Sequence, residues 1–163
     1  MTAIAYRPME ASDRNFVVDS WVSSYLAAKS RGCIQIEDWY PIMIPTVEKI
    51  LGKPDVRTMV AVMPGTDRIA NLLGFITADI DDNPALVYYV YVKEHYRRAK
   101  RLPGWTGPGI GRGLFEALGI EPARPFNYVC STAMCRIMER KIPMSRHQPD
   151  LGTYPKSERR NRR

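Results

Sequence analysis

Histidine and cysteine are both scarce in this sequence. His95 and His147 lie 52 positions apart, and Cys33, Cys130 and Cys135 make an odd count without a CxxC pair. Those spacings exclude a recognisable zinc site and a disulfide framework. Cys130 and Cys135 fall in an apolar stretch, which favours buried free thiols over a redox pair. An acyl-carrying role for Cys135 lacks the adjacent base that such a nucleophile needs. No apolar run approaches the ~18 residues that cross a bilayer, so no membrane partner is expected. The opening Met1-Thr2-Ala3-Ile4 lacks a basic-then-apolar layout, from which a cytoplasmic location is expected. No glycine run is followed by Gly-Lys-Ser/Thr, which removes the P-loop, and no internal repeat is present.

What is present is ordinary in bulk and uneven in charge. With 45% hydrophobic and 25% charged residues, the composition is that of one globular domain, expected over residues 1–155. The net charge of +7 is concentrated in two segments, Lys93 to Arg101 and Lys156 to Arg163, each at +4, which leaves the remainder at −1. Basicity that is local points to a local anionic partner. The tail from 156 to 163 carries nothing apolar enough to dock and is expected to stay solvated. Nucleic acid held through that tail is the weaker reading, because the tail has no aromatic residue and no recognition helix stands out.

Periodicity orders the chain as β, α, α, three strands, α, β, α and a last possible strand. Ile4 to Arg7 reads as a short strand closed by Pro8. Ser12 or Asp13 can then cap a helix carrying Phe16, Val17, Val18, Trp21, Val22, Tyr25 and Leu26 at helical spacing. Residues 33 to 41 read as a loop rich in aromatics and acids, followed by a helix from about Pro45 to Leu51 that stops at Gly52. Thr58 to Met63, Ile69 to Ile80 and Ala85 to Val92 are strands. Gly74 marks a bulge or a close backbone approach in the second of these, and the turn Asp81-Asp82-Asn83-Pro84 precedes the third. Gly109 to Gly119 is a helix with Ile110, Leu114, Phe115 and Leu118 on one face. Phe126 to Cys130 is a strand, and Thr132 to Arg140 a helix. Strands joined by turns, with helices before and after, predict an α+β layered sheet.

The chemistry concentrates between Tyr88 and Leu118: a buried strand, a basic loop, alternating glycines and an amphipathic helix. Glycines at the mouth of a helix let backbone approach a phosphate, and the unpaired amides of the first turn favour negative charge there. Gly107, Gly109, Gly111 and Gly113 alternate, while Arg97, Arg98, Lys100, Arg101 and Arg112 can add charge-assisted bonds. A dinucleotide fold would place such a run after the first strand, with an acid about 20 residues on. Here it follows several strands, and the next acids, Glu116 and Glu121, lie on or just past the helix.

On these residues the sequence resembles the GNAT superfamily of acetyl-CoA-dependent N-acetyltransferases. Val90-Tyr91-Val92 stands as the end of that family's cofactor strand, and Thr106-Gly107-Pro108-Gly109-Ile110-Gly111-Arg112-Gly113-Leu114 as its loop and helix start. Tyr6-Arg7-Pro8 before an Asp-bearing helix resembles the family's first strand and helix. The resemblance implies a mixed, mostly antiparallel central sheet flanked by helices, with acetyl-CoA as cofactor. Tyr91 and Val92 would pair with its pantetheine arm, and the amides from Gly107 to Gly113, with Arg97, Arg98, Ile110 and Arg112 beside them, would hold its pyrophosphate. The loop over 33–41, with Glu37, Asp38, Trp39 and Tyr40, would shape the acceptor site.

Two features depart from the family pattern. About seven extra residues, including Leu102-Pro103-Gly104-Trp105, separate Tyr96-Arg97-Arg98 from the glycines, and Thr106 occupies the usual Arg/Gln position. The proton-donating tyrosine of the last helix would fall near Ile137 or Met138, where there is none. His95, Glu94 and Tyr91 are then the candidate catalytic groups, each with a plainer alternative as a loop or sheet-packing residue. The resemblance implies transfer of an acetyl group to an amine of a small molecule or protein. It leaves open a non-catalytic member acting as a structural or interaction protein, such as a bacteriophage virion-associated product.

Overall fold

The computed structural model describes residues 4–27, 35–65, 71–97, 109–121, 124–129 and 146–147. Its elements are β1 (Ala5–Pro8), α1 (Arg14–Ala27), α2 (Ile36–Leu51), β2 (Val56–Val62), β3 (Leu72–Asp79), β4 (Ala85–Val92), α3 (Ile110–Ala117), β5 (Phe126–Tyr128) and β6 (Arg146–His147). The six strands form one sheet in the order β1-β2-β3-β4-β5-β6. β1 to β4 are an antiparallel meander, while β4–β5 and β5–β6 pair in parallel. The α+β reading and the mostly antiparallel sheet are both observed. The expected helix over 132–140 and all three cysteines lie outside the described residues.

Strand alternation sends side chains to two separate cores. Leu73, Ile76, Val87, Val90 and Val92 pack with Ile110, Leu114 and Phe115 of α3 and with Leu118 just past its end on one face. Leu72, Phe75, Tyr88 and Tyr89 pack with Val17, Val18, Trp21 and Val22 of α1 and Trp39 and Val47 of α2 on the other. The apolar stripe read for α3 is the one buried.

The main correction concerns α2. It runs from Ile36, not from Pro45, so Glu37, Asp38, Trp39 and Tyr40 lie on a helix and not on a loop, with Pro41 and Pro45 inside it. Each proline removes a ladder donor, at a cost of about 3 kcal/mol or more in an isolated helix. Burial offsets this: Trp39 and Val47, eight positions apart and so on one face, are each 1% exposed. The Trp39 indole also donates to the Val22 carbonyl of α1 at 3.1 Å. A second correction is the cap of α1. A 3-10 turn over Ala11–Asp13 precedes it, and Asp13 reaches back to accept from the Glu10 amide at 2.9 Å and from Arg7 at 2.5 and 3.1 Å.

Two bulges shape the central hairpin. The β2–β3 register steps from Ala61↔Gly74 to Val62↔Leu72, which leaves Leu73 extra. Gly74 beside it has no room for a side chain, since a Cβ there would lie 3.0 Å from the Val92 Cα and nearer still to the Tyr91 carbonyl oxygen. The β3–β4 register steps from Thr77↔Tyr89 to Ala78↔Val87, which leaves Tyr88 extra. Tyr88 and Tyr89 therefore point to the same face although they are neighbours.

Candidate functional site

The end of β4 and the start of α3 share a core, since Val90, Val92 and Ile110 belong to one buried cluster. The parallel pairing of β4 with β5 covers only Ala85 to Val87 among the described residues. Beyond it β4 runs on through Tyr88 to Val92 along β3. The Lys93 amide donates to the Leu73 carbonyl at 2.8 Å. Backbone groups alternate sides along a strand, so those of Val90 and Val92 face away from β3, towards the side of β5. Arg97 folds back across this end, its Nε donating to the Val92 carbonyl at 2.9 Å.

α3 starts where the glycine run suggests. Gly109 is the N-cap residue of α3, with φ −57° and ψ 146°. The first rung of the helix runs from the Gly113 amide to the Gly109 carbonyl at 3.0 Å. The amides of Ile110, Gly111 and Arg112 precede that rung and have no partner within the helix. Together with the helix dipole they form a donor cluster suited to an anion. Arg112 is exposed and its Nε is 2.8 Å from Glu116 Oε1, one turn on. Arg98 and Gly107, the other expected phosphate contacts, lie outside the described residues.

The remaining sequence candidates fall in three settings. Glu94 and His95 sit in a 3-10 turn just after β4, both exposed, with the His95 ring edge-on to Tyr96 at 5.1 Å. Tyr91 is half-buried between Phe75 and Phe16, with ring centroids at 5.7 and 6.2 Å. Glu37 and Tyr40 are exposed near the start of α2, whereas Trp39 is committed to the core and stacks on Tyr25 at 5.9 Å. Lys93 follows β4; burial pulls its ammonium below the usual lysine range, and its Nζ lies 5.1 Å above the Phe16 ring.

Sequence reasoning missed the polar links behind β4. Lys53 donates to the Tyr88 hydroxyl at 3.3 Å. The Tyr89 hydroxyl meets Ser24 Oγ at 2.6 Å, and Ser24 itself hydrogen-bonds to the Ser20 carbonyl. A serine has one hydrogen to give, so with that bond made Tyr89 is the donor to Ser24. The only advance sign was a run of aromatics on a strand, which says nothing of which face each will take once a bulge intervenes.

No protein-family profile matches the chain, and neither does any curated protein. Solved structures do. A Pyrococcus furiosus protein described as a proposed acetyl transferase is 16% identical, with a TM-score of 0.55 over 90% of this chain and 96% of that one. The PaiA N-acetyltransferase of Thermoplasma acidophilum, solved with coenzyme A, is 18% identical with a TM-score of 0.43, over 85% of this chain and 74% of that one. A GNAT-family acetyltransferase from Staphylococcus aureus Mu50 is also 18% identical with a TM-score of 0.43. The match covers 70% of this chain but only 62% of the staphylococcal one. At such identities the likeness speaks for the fold alone. The fold defined by this sheet order and these helices is GNAT-like.

Proposed function

We propose that this chain is an acetyl-CoA-dependent N-acetyltransferase that moves an acetyl group to an amine of a small molecule or a protein. The observation that carries the reading is the donor cluster at the N-terminus of α3, which shares a core with the end of β4. The amides of Ile110, Gly111 and Arg112 suit a pyrophosphate. Arg97, Arg98 and Arg112 would supply charge around it, and Gly107 and Gly109 would let backbone come close. Val92, and not Tyr91 whose backbone faces β3, would align the pantetheine arm along β4. When bound, the cofactor supplies an activated acetyl thioester. The chain must then take a proton from the attacking amine and return one to the leaving thiolate. His95 or Glu94 would take the first, and Tyr91 would give the second. Glu37 and Tyr40 would border the acceptor, with Trp39 anchoring their helix.

A second reading is a GNAT-fold protein that has lost catalysis and serves in assembly or interaction, as in a bacteriophage particle. The observation favouring it is the filled aromatic face, where Trp39 and the Tyr89 hydroxyl are already engaged inside the core. Calorimetric titration of acetyl-CoA into the pure protein tests the first reading. It expects micromolar binding that is lost in the Gly109→Glu/Gly111→Glu variant. Absence of both heat and a thermal shift in the unmodified chain would end it. Binding without acetyl transfer to any amine in a broad panel would favour the second.

A further inference from the structure

The last glycine of the alternating run differs from those before it. Its amide is already spent on the first rung of α3, donating to the Gly109 carbonyl at 3.0 Å, so it cannot also serve a phosphate. Its Cα faces the sheet. A Cβ built there would lie 3.0 Å from Tyr6 Cε1, and deeper still inside contact distance of Tyr6 Cζ and the Tyr6 hydroxyl. Among the described residues that hydroxyl is buried with no hydrogen-bond partner, and burial together with the Glu116 carboxylate pushes the phenol above its usual range.

We infer that the Tyr6–Gly113 contact sets the height of α3 over the sheet, and that Gly113 is a positioning residue for the anion site rather than a ligand of it. This rests on the cofactor reading above. Tyr6 projects from β1 into the same cluster that buries Ile110, Leu114 and Phe115. A phenol ring is rigid beyond its two torsions, and the end of this one is enclosed. It acts as a strut of fixed length. Glycine is the residue that lets the helix rest on such a strut at close approach. Any larger residue at 113 must lift the first turn of α3 or drive the ring aside. The amides of Ile110, Gly111 and Arg112 belong to that turn and would move with it.

The test is a set of acetyl-CoA titrations with melting temperatures measured on the same proteins. Gly113→Ala should weaken binding about tenfold or more, in line with what a displacement on the order of 1 Å does to a preorganised site. Adding Tyr6→Phe should not restore binding, because the Cζ overlap remains. Adding Tyr6→Leu, which removes the ring, should restore both binding and melting temperature. If Gly113→Ala does not fold, the Gly113→Ala/Tyr6→Leu pair still decides, since it must fold and bind as the unmodified chain does. Unchanged binding in Gly113→Ala overturns the inference. So does a Tyr6→Leu pair that regains its melting temperature but not its affinity, since Gly113 would then touch the ligand. An unmodified chain that binds no acetyl-CoA removes the cofactor reading and this inference with it; only that titration tells the two failures apart.

Discussion

The two faces of the sheet are held by different physics. Beneath α1 and α2 the packing is aromatic: Trp21 stacks on Tyr89 at 4.9 Å and 17°, and Phe75 and Tyr25 adjoin the same ring. Rings with polar tips need partners when buried. Tyr89 meets Ser24, Trp39 donates to Val22, and Tyr88 accepts from Lys53. Beneath α3 the packing is largely aliphatic, although Phe115, Phe126 and Tyr128 belong to it, and among the described residues the Tyr6 hydroxyl there has no hydrogen-bond partner. The first face is locked by direction, the second by distance. Adjacent residues of β1 serve both, since Tyr6 reaches the α3 core while Arg7 binds Asp13 ahead of α1. A helix held by distance is one whose position a single glycine can set, and it is the helix that carries the candidate anion site.

Four variants bear on this contrast, the largest effect first. Trp21→Ala removes a side chain that is 2% exposed and stacked on Tyr89; it should cost about 4 kcal/mol in denaturant unfolding. Leu114→Ala, fully buried under α3, should cost about 3 kcal/mol by the same measurement. A markedly larger loss for Leu114 than for Trp21 would break the view of the aromatic face as the firmer one. Asp13→Ala removes the carboxylate that accepts both hydrogen bonds from half-buried Arg7 and should cost about 2 kcal/mol. Burial alone would raise the Asp13 carboxyl. The Arg7 hydrogen bond, the Glu10 amide and the Arg7 charge together outweigh burial and hold the group below its usual range. Its folded pKa is thus the lower one. The stabilisation is complete above the unfolded carboxyl value, about pH 4, and is lost as pH falls through the folded value. Acid titration of the melting temperature should show this step in the unmodified chain and not in Asp13→Ala. Tyr6→Phe, the smallest, should raise stability by about 1 kcal/mol, because it deletes a buried hydroxyl that gains no bond. A loss of stability on that change would show that the hydroxyl has a partner and would blur the distinction between the faces.

Much of this was legible beforehand because it depends on local pattern. β4 lies where a run of β-branched and aromatic residues indicated, over Ala85 to Val92. α3 follows Gly109 with the expected stripe inward, and Gly74 marks the close approach of backbones that its place in a strand suggested. The start of α2 was not legible. Pro41 and Pro45 are local breakers, and only the burial of Trp39 and Val47 against α1 overrides them. Nor was the extra Tyr88 in β4, because a bulge depends on the register of the partner strand and leaves no mark on its own run.

The glycine run divides along the same line. That some backbone must come close to something at residues 109 to 113 is written in the sequence, since alternating glycines before an amphipathic stripe have little other use. Which glycine faces which neighbour is not. The spacing treats Gly109, Gly111 and Gly113 alike, while the fold leaves the amides of Ile110 to Arg112 outside the helical ladder and turns Gly113 onto Tyr6, more than a hundred positions earlier in the chain. Local composition determines where backbone freedom is needed. Only tertiary packing decides what that freedom accommodates, because the contact is made by residues far apart in the chain.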